Sequence, residues 1–163
     1  MNLKQLLFLK AASGEQVKSE TPTAFSAVGS AGTFSPRTTN NYGTTIDTTS
    51  AEANSVTVTQ VYDSEYPATG YQNGYIAILF SKINDWIAAG KEITFTADIE
   101  ITANPAEVTS FNAILSSNTK SSNVTDGKVS FTWSGLSSTT REYIEFRCGG
   151  ASFKLSNCVL SCA

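Results

Sequence analysis

Apolar and polar residues alternate along several stretches of this chain, most regularly from Lys91 to Ile101. Ile93, Phe95, Ala97, Ile99 and Ile101 share one parity, and Glu92, Thr94, Thr96, Asp98 and Glu100 share the other. Successive side chains of a strand point to opposite faces, so this pattern predicts a strand with one apolar and one wet face. A helix would spread the same apolar residues around its circumference. Gly90 punctuates one end and Asn104-Pro105 the other. Such a strand needs a facing sheet to cover its apolar side.

The same reading supplies the rest of that sheet pair. Ser55–Val61 places Val56 and Val58 on one parity, and Tyr75–Phe80 is a continuous apolar run suited to a central strand. A weak strand is expected near Thr44–Asp47. Phe111–Ser116 is a further candidate. In Lys128–Trp133, residues Val129, Phe131 and Trp133 share a face, and in Arg141–Cys148 so do Ile144, Phe146 and Cys148. The run from Ala151 to Leu160 carries Phe153 and Leu155 inward, until Asn157 breaks the parity and marks a bulge. Asp126-Gly127 and Gly149-Gly150 are turns. The polar stretch from Ser117 to Thr125 reads as a loop. Ser81–Ala89 reads as a helical turn or an excursion carrying Trp86, closed by Gly90. Short strands at roughly 8–12-residue spacing, without strand–helix–strand alternation, predict an all-β antiparallel sandwich, jelly-roll-like in topology.

The N-terminal end differs. Leu3, Leu6 and Leu7 follow helical spacing, with Phe8 in the same apolar run and Gly14 as a stop. So short a helix is not stable alone and needs something to dock on. These four apolar residues are therefore the candidate assembly contacts. Lys10 interrupts the apolar run, which is shorter than the ~7 residues a secretion signal needs. Glu15–Ser35 is rich in Ser, Thr, Gly and Ala and reads as an extended arm, with Phe25, Val28 and Phe34 as anchors. The expected organisation is an assembly helix and arm over residues 1–35 and a sandwich over residues 36–163.

Composition narrows the chemistry. The 163 residues carry a net charge of −3, and only 15% are charged, with Ser, Thr and Asn in their place. No basic stripe exists to neutralise phosphates, so nucleic acid is not an expected partner. No apolar run approaches the roughly 20 residues that span a bilayer, so no membrane insertion is expected. There is no His, which removes Ser-His-Asp and Cys-His chemistry and the commonest zinc ligand. Cys148, Cys158 and Cys162 include no CxxC pair. Reduced, buried thiols are the leading reading, with a Cys148–Cys158 or Cys158–Cys162 disulfide as the alternative. No cofactor, structural metal or catalytic activity is expected.

Tyr62, Tyr66 and Tyr71 fall in one loop with Asp63, Glu65, Gln72 and Asn73. Flat aromatic rings stack on sugars, and carboxylates and amides bond hydroxyl groups, so this loop is a candidate glycan or partner contact; the alternative is that the tyrosines cover the sandwich edge. Trp133 continues a core parity. Trp86, in an irregular stretch beside Asp85, is either a binding platform or a plug for the end of the sandwich. Asp98, Glu100, Asn104 and Glu107 offer oxygen ligands of the kind calcium takes, or a carboxylate pair, but exposed strand-face acids are the simpler reading. Asn123-Val124-Thr125 fits a glycosylation sequon, a short pattern read here as a chance match.

The opening Met-Asn-Leu-Lys-Gln-Leu-Leu-Phe-Leu-Lys-Ala-Ala-Ser-Gly resembles the first residues of minor structural, tail-region proteins of phages and prophages of gut Firmicutes. The block Gly90–Ile99, and the segment from Glu142 through Phe153 to Leu160, are similar to strands of carbohydrate-binding-module-like jelly rolls in such proteins. The resemblance implies a virion component assembled in the bacterial cytoplasm. It implies a homo-oligomer attached through its N-terminal segment to other virion proteins, with the sandwich outward and host-surface glycan as a further partner. The alternative function is a secreted or surface-displayed carbohydrate-binding module.

Overall fold

The computed structural model describes residues 18–28, 34–35, 45–47, 54–59, 73–103, 110–137, 142–149 and 152–163. Leu3, Leu6, Leu7 and Phe8, the N-terminal helix expected around them, and the Tyr62, Tyr66 and Tyr71 loop lie outside the described residues.

The described residues form an antiparallel sandwich of two six-stranded sheets. The strands are β1 (Lys18–Glu20), β2 (Ala24–Val28), β3 (Phe34–Ser35), β4 (Thr45–Asp47), β5 (Val56–Thr59) and β6 (Asn73–Leu79). After helix α1 (Ile83–Ala88) come β7 (Ile93–Ala103), β8 (Ser110–Leu115), β9 (Asn118–Asn123), β10 (Lys128–Trp133), β11 (Tyr143–Gly149) and β12 (Ser152–Cys162). One sheet runs β10-β7-β12-β5-β4, with β1 also on β12. The other runs β3-β2-β6-β11-β8-β9.

The strand predicted most clearly, β7, lies between β10 and β12 in the first sheet. Its Ile93, Phe95, Ala97 and Ile99 are buried, while Thr96 and Glu100 are exposed. Facing it, β11 contributes Ile144 and Phe146. The Phe146 ring is the hub of the core, with centroids 5.3 Å from Phe111, 5.5 Å from Phe153, 5.9 Å from Phe131 and 6.5 Å from Phe95. Offset and edge-to-face aromatic packing of this kind adds to the hydrophobic gain of burying the rings. Trp133 is buried as its parity predicts, and its Nε1–H donates to the Asn118 carbonyl at 3.0 Å.

Two sequence expectations are corrected here. Residues 118–123, read as loop, form β9. The strand pairs along its whole length with β8, from Leu115↔Asn118 to Ser110↔Asn123. Its turn is Ser116-Ser117, both at positive φ (49° and 67°), a left-handed geometry usually signalled by Asn or Gly. The strand is exposed almost throughout, so its residues show no apolar alternation to read.

Residues 18–28, read as part of a separate arm, belong to the sandwich. The first of these strands pairs Lys18↔Cys162 and Glu20↔Leu160 in one sheet, and the second pairs Ala24↔Leu79 and Phe25↔Ile78 in the other. The N–H of Thr23 donates to the Leu79 carbonyl at 2.8 Å between them. The arm therefore ties the two layers together, and the boundary expected at residues 35/36 does not separate it from the fold.

Candidate functional site

Trp86 sits in α1, where Ile83, Trp86 and Ile87 form the buried stripe of an amphipathic turn. The helix ends in a Schellman motif: Gly90 takes φ +68°, its N–H bonds the Ile87 carbonyl, and the Lys91 N–H bonds the Trp86 carbonyl. Trp86 is only 8% exposed and belongs to the hydrophobic core, which leaves its ring little open face for a ligand. Asn73 opens β6 opposite Gly149. The three tyrosines that precede it, and Asn104 and Glu107, lie outside the described residues.

A different group of residues converges on the outer face of the first sheet. In β12 the inward residues are Phe153 and Leu155 before Asn157, and Cys158, Leu160 and Cys162 after it. The parity thus changes from odd to even. The structure makes this change with a bulge: Asn157 takes φ 51° and the register with β7 shifts between Ser156 and Val159. One extra residue lets both halves of the strand face the core. The bulge lies where the flanking partner of β12 changes from β5, at Phe153–Leu155, to β1, at Leu160–Cys162.

The bulge turns Asn157 toward Asp98, whose carboxylate accepts from the Asn157 side-chain amide at 2.8 Å and from the Lys128 ammonium. Lys128 is the residue opposite Asp98 in β10, positioned by the Asp126-Gly127 turn. Both turn residues take positive φ (50° and 70°), and the Gly127 carbonyl accepts from the Ile99 N–H at 2.7 Å. Lys128, and after it Asn157, hold the Asp98 carboxyl below its ordinary value. Beneath the bulge, burial pushes the Cys158 thiol up to about 12, with the Asp98 charge adding to the shift.

Around these groups lies an open hollow of about 380 Å³, lined by the side chains of Thr96, Asp98, Lys128, Ser130 and Asn157. Ala97 and Val129 form its floor, with their own side chains turned into the core. Asp98 is 35% exposed and Lys128 69%, so both heads remain accessible. The hollow offers one anion, one cation, an amide and two hydroxyls over a largely apolar surface, with no aromatic ring. From the sequence, Asp98 stands out only in a group with Glu100, Asn104 and Glu107. The sequence also places the break at Asn157, which is the available signal for this site.

Among the described residues, no three His, Cys, Asp or Glu side chains come together as metal ligands. Among them, too, no helix is long and apolar enough to cross a membrane. Cys158 and Cys162 are free thiols, both buried, so neither disulfide considered from the sequence is formed. No protein-family model matches the chain, and no curated protein sequence matches it.

Proposed function

We propose that this chain is a phage virion structural protein of the tail region, which displays its sandwich outward from an attachment made through the residues preceding Lys18. The observation that carries this reading is the placement of the two ends of the sandwich. Lys18 lies beside Cys162, level with Ile93 and near α1. Asn73 lies beside Gly149 at the other end, close to where Ser152 pairs with Ala103. The eleven residues of β12 separate these ends by roughly 33 Å. A sandwich held at Lys18 therefore presents the Asn73 end, to which the tyrosine-rich segment leads, away from its attachment.

In this role the protein acts by multivalent display and not by catalysis. Several tethered copies convert individually weak contacts, to other virion proteins or to host-surface glycans, into stable attachment. The test is the solution mass of the full chain beside a chain starting at Lys18, measured by light scattering. A defined oligomer that falls to a folded monomer on removal of residues 1–17 is the expected result. Equal masses for the two chains would overturn self-assembly through that segment. The cut belongs at Lys18, because removal through residue 25 would also delete β1 and the start of β2.

A further inference from the structure

We infer that the hollow at Asp98, Lys128 and Asn157 is a binding site for a single neutral sugar unit, on the flank of the sandwich. The inference deepens the display reading and rests on it for the source of the sugar, a host-surface glycan. Its physical basis is the hollow alone.

The lining selects the ligand class. The two charged heads, Asp98 and Lys128, are opposite in sign and bonded to each other, so the site has no net charge to attract an ion. An anion would meet the Asp98 carboxylate, and a metal cation would have one carboxylate and a competing ammonium. A purely apolar ligand would leave the carboxylate, ammonium and amide heads above the apolar lining unmatched, whereas a sugar ring has C–H faces for that lining and hydroxyls for those heads. What remains is a ligand that is neutral and dense in hydroxyl groups. A carboxylate can accept from two neighbouring hydroxyls while an ammonium and an amide donate to their oxygens, and Thr96 and Ser130 can do either. The volume of about 380 Å³ lies at the small end of ligand sites and suits one ring better than a chain of them.

The groups are also held in place before any ligand arrives. Asp98 is fixed by bonds to both Lys128 and Asn157. Asn157 is fixed by a backbone conformation that the change of core parity requires. Preorganised groups lose little freedom on binding, which matters for a ligand that gains little from burial.

The experiment is amide chemical-shift mapping on the full-length protein. Free glucose, galactose, mannose, N-acetylglucosamine and rhamnose are titrated one at a time, with inorganic phosphate as the anionic comparison. The expected result is that at least one sugar shifts the amides of Ala97, Asp98, Val129, Ser130 and Asn157 together, and phosphate does not. Asn157→Gly keeps the positive φ and hence the bulge while removing the amide. It should weaken that sugar about tenfold, equivalent to ~1.4 kcal/mol. The inference is overturned if no sugar shifts these amides, if phosphate alone does, or if Asn157→Gly, still folded by its thermal melt, binds as before. Failure here leaves the tethering at Lys18 standing. Equal masses in the light-scattering test leave the sugar site standing.

Discussion

The Glu20 carboxylate holds Ser81 at two points, accepting from its backbone N–H at 3.2 Å and from its hydroxyl at 2.9 Å. Its other oxygen accepts from the Lys82 N–H at 2.8 Å. Lys82 itself makes no side-chain cap for α1. A carboxylate from β1, some sixty positions earlier in sequence, thus satisfies N–H groups at the start of the helix, where negative charge is also favoured by the helix dipole.

Glu20→Ala should therefore destabilise the fold by about 1 kcal/mol, the typical cost of losing a helix N-cap. Urea unfolding followed by Trp fluorescence measures it, because Trp86 lies in the same helix. No change in midpoint would mean that water replaces the carboxylate at no cost.

Phe146 touches four aromatic rings from both layers. Phe146→Ala should cost about 3–5 kcal/mol, since the surrounding rings come from different strands and cannot all close on the void. Phe146→Leu should cost much less. Calorimetric melting of the two variants separates cavity formation from simple loss of apolar area.

The Asp98 carboxyl is held below its ordinary value, chiefly by the bond from Lys128 and then by that from Asn157. A depressed native carboxyl stabilises the fold fully above its unfolded value of about 3.8, and that contribution is lost as pH falls through the lower native value. Both partners are well exposed and the pair is screened, so the effect should stay under ~1 kcal/mol and shrink in high salt. Urea midpoints across the acid range should show a shallower fall for Asp98→Asn than for the parent chain.

Cys158 has the opposite linkage. Its native thiol is pushed from about 9 to about 12, mainly by burial. Between those values the unfolded chain loses a proton that the native chain keeps, so this thiol's contribution falls as pH rises through that window. The neutral thiol is also unreactive. Alkylation of the native protein at mildly alkaline pH, mapped by peptide mass, should leave Cys158 and Cys162 unmodified, and the same treatment in denaturant should label both. Labelling of Cys158 in the folded chain would contradict its burial.

Much of this fold is legible in the chain wherever one face of a strand is buried. The alternations of Ile93–Ile101 and Val129–Trp133 placed their inward residues correctly, and the break at Asn157 announced its bulge, because burial on one side leaves a period of two in the residues themselves. Gly90 and Asp126-Gly127 announced their turns through the positive φ they adopt. The polar edge strand from Asn118 to Asn123 buries almost nothing and carries no such mark. It exists because β8 offers it a ladder and Trp133 a hydrogen bond.

The sequence alone therefore determined which side chains face inward, and with them the class of the fold, since periodicity is a local property of consecutive residues. Only the tertiary structure decided which strand lies beside which. It put Lys18–Glu20 against the last strand, brought Glu20 to Ser81, and set Asp98, Lys128 and Asn157 around one hollow. Those relationships join residues from 30 to 144 positions apart in sequence. Register is fixed by the packing of whole apolar faces and by the bulge that realigns them, and no local pattern at any one of those residues records it.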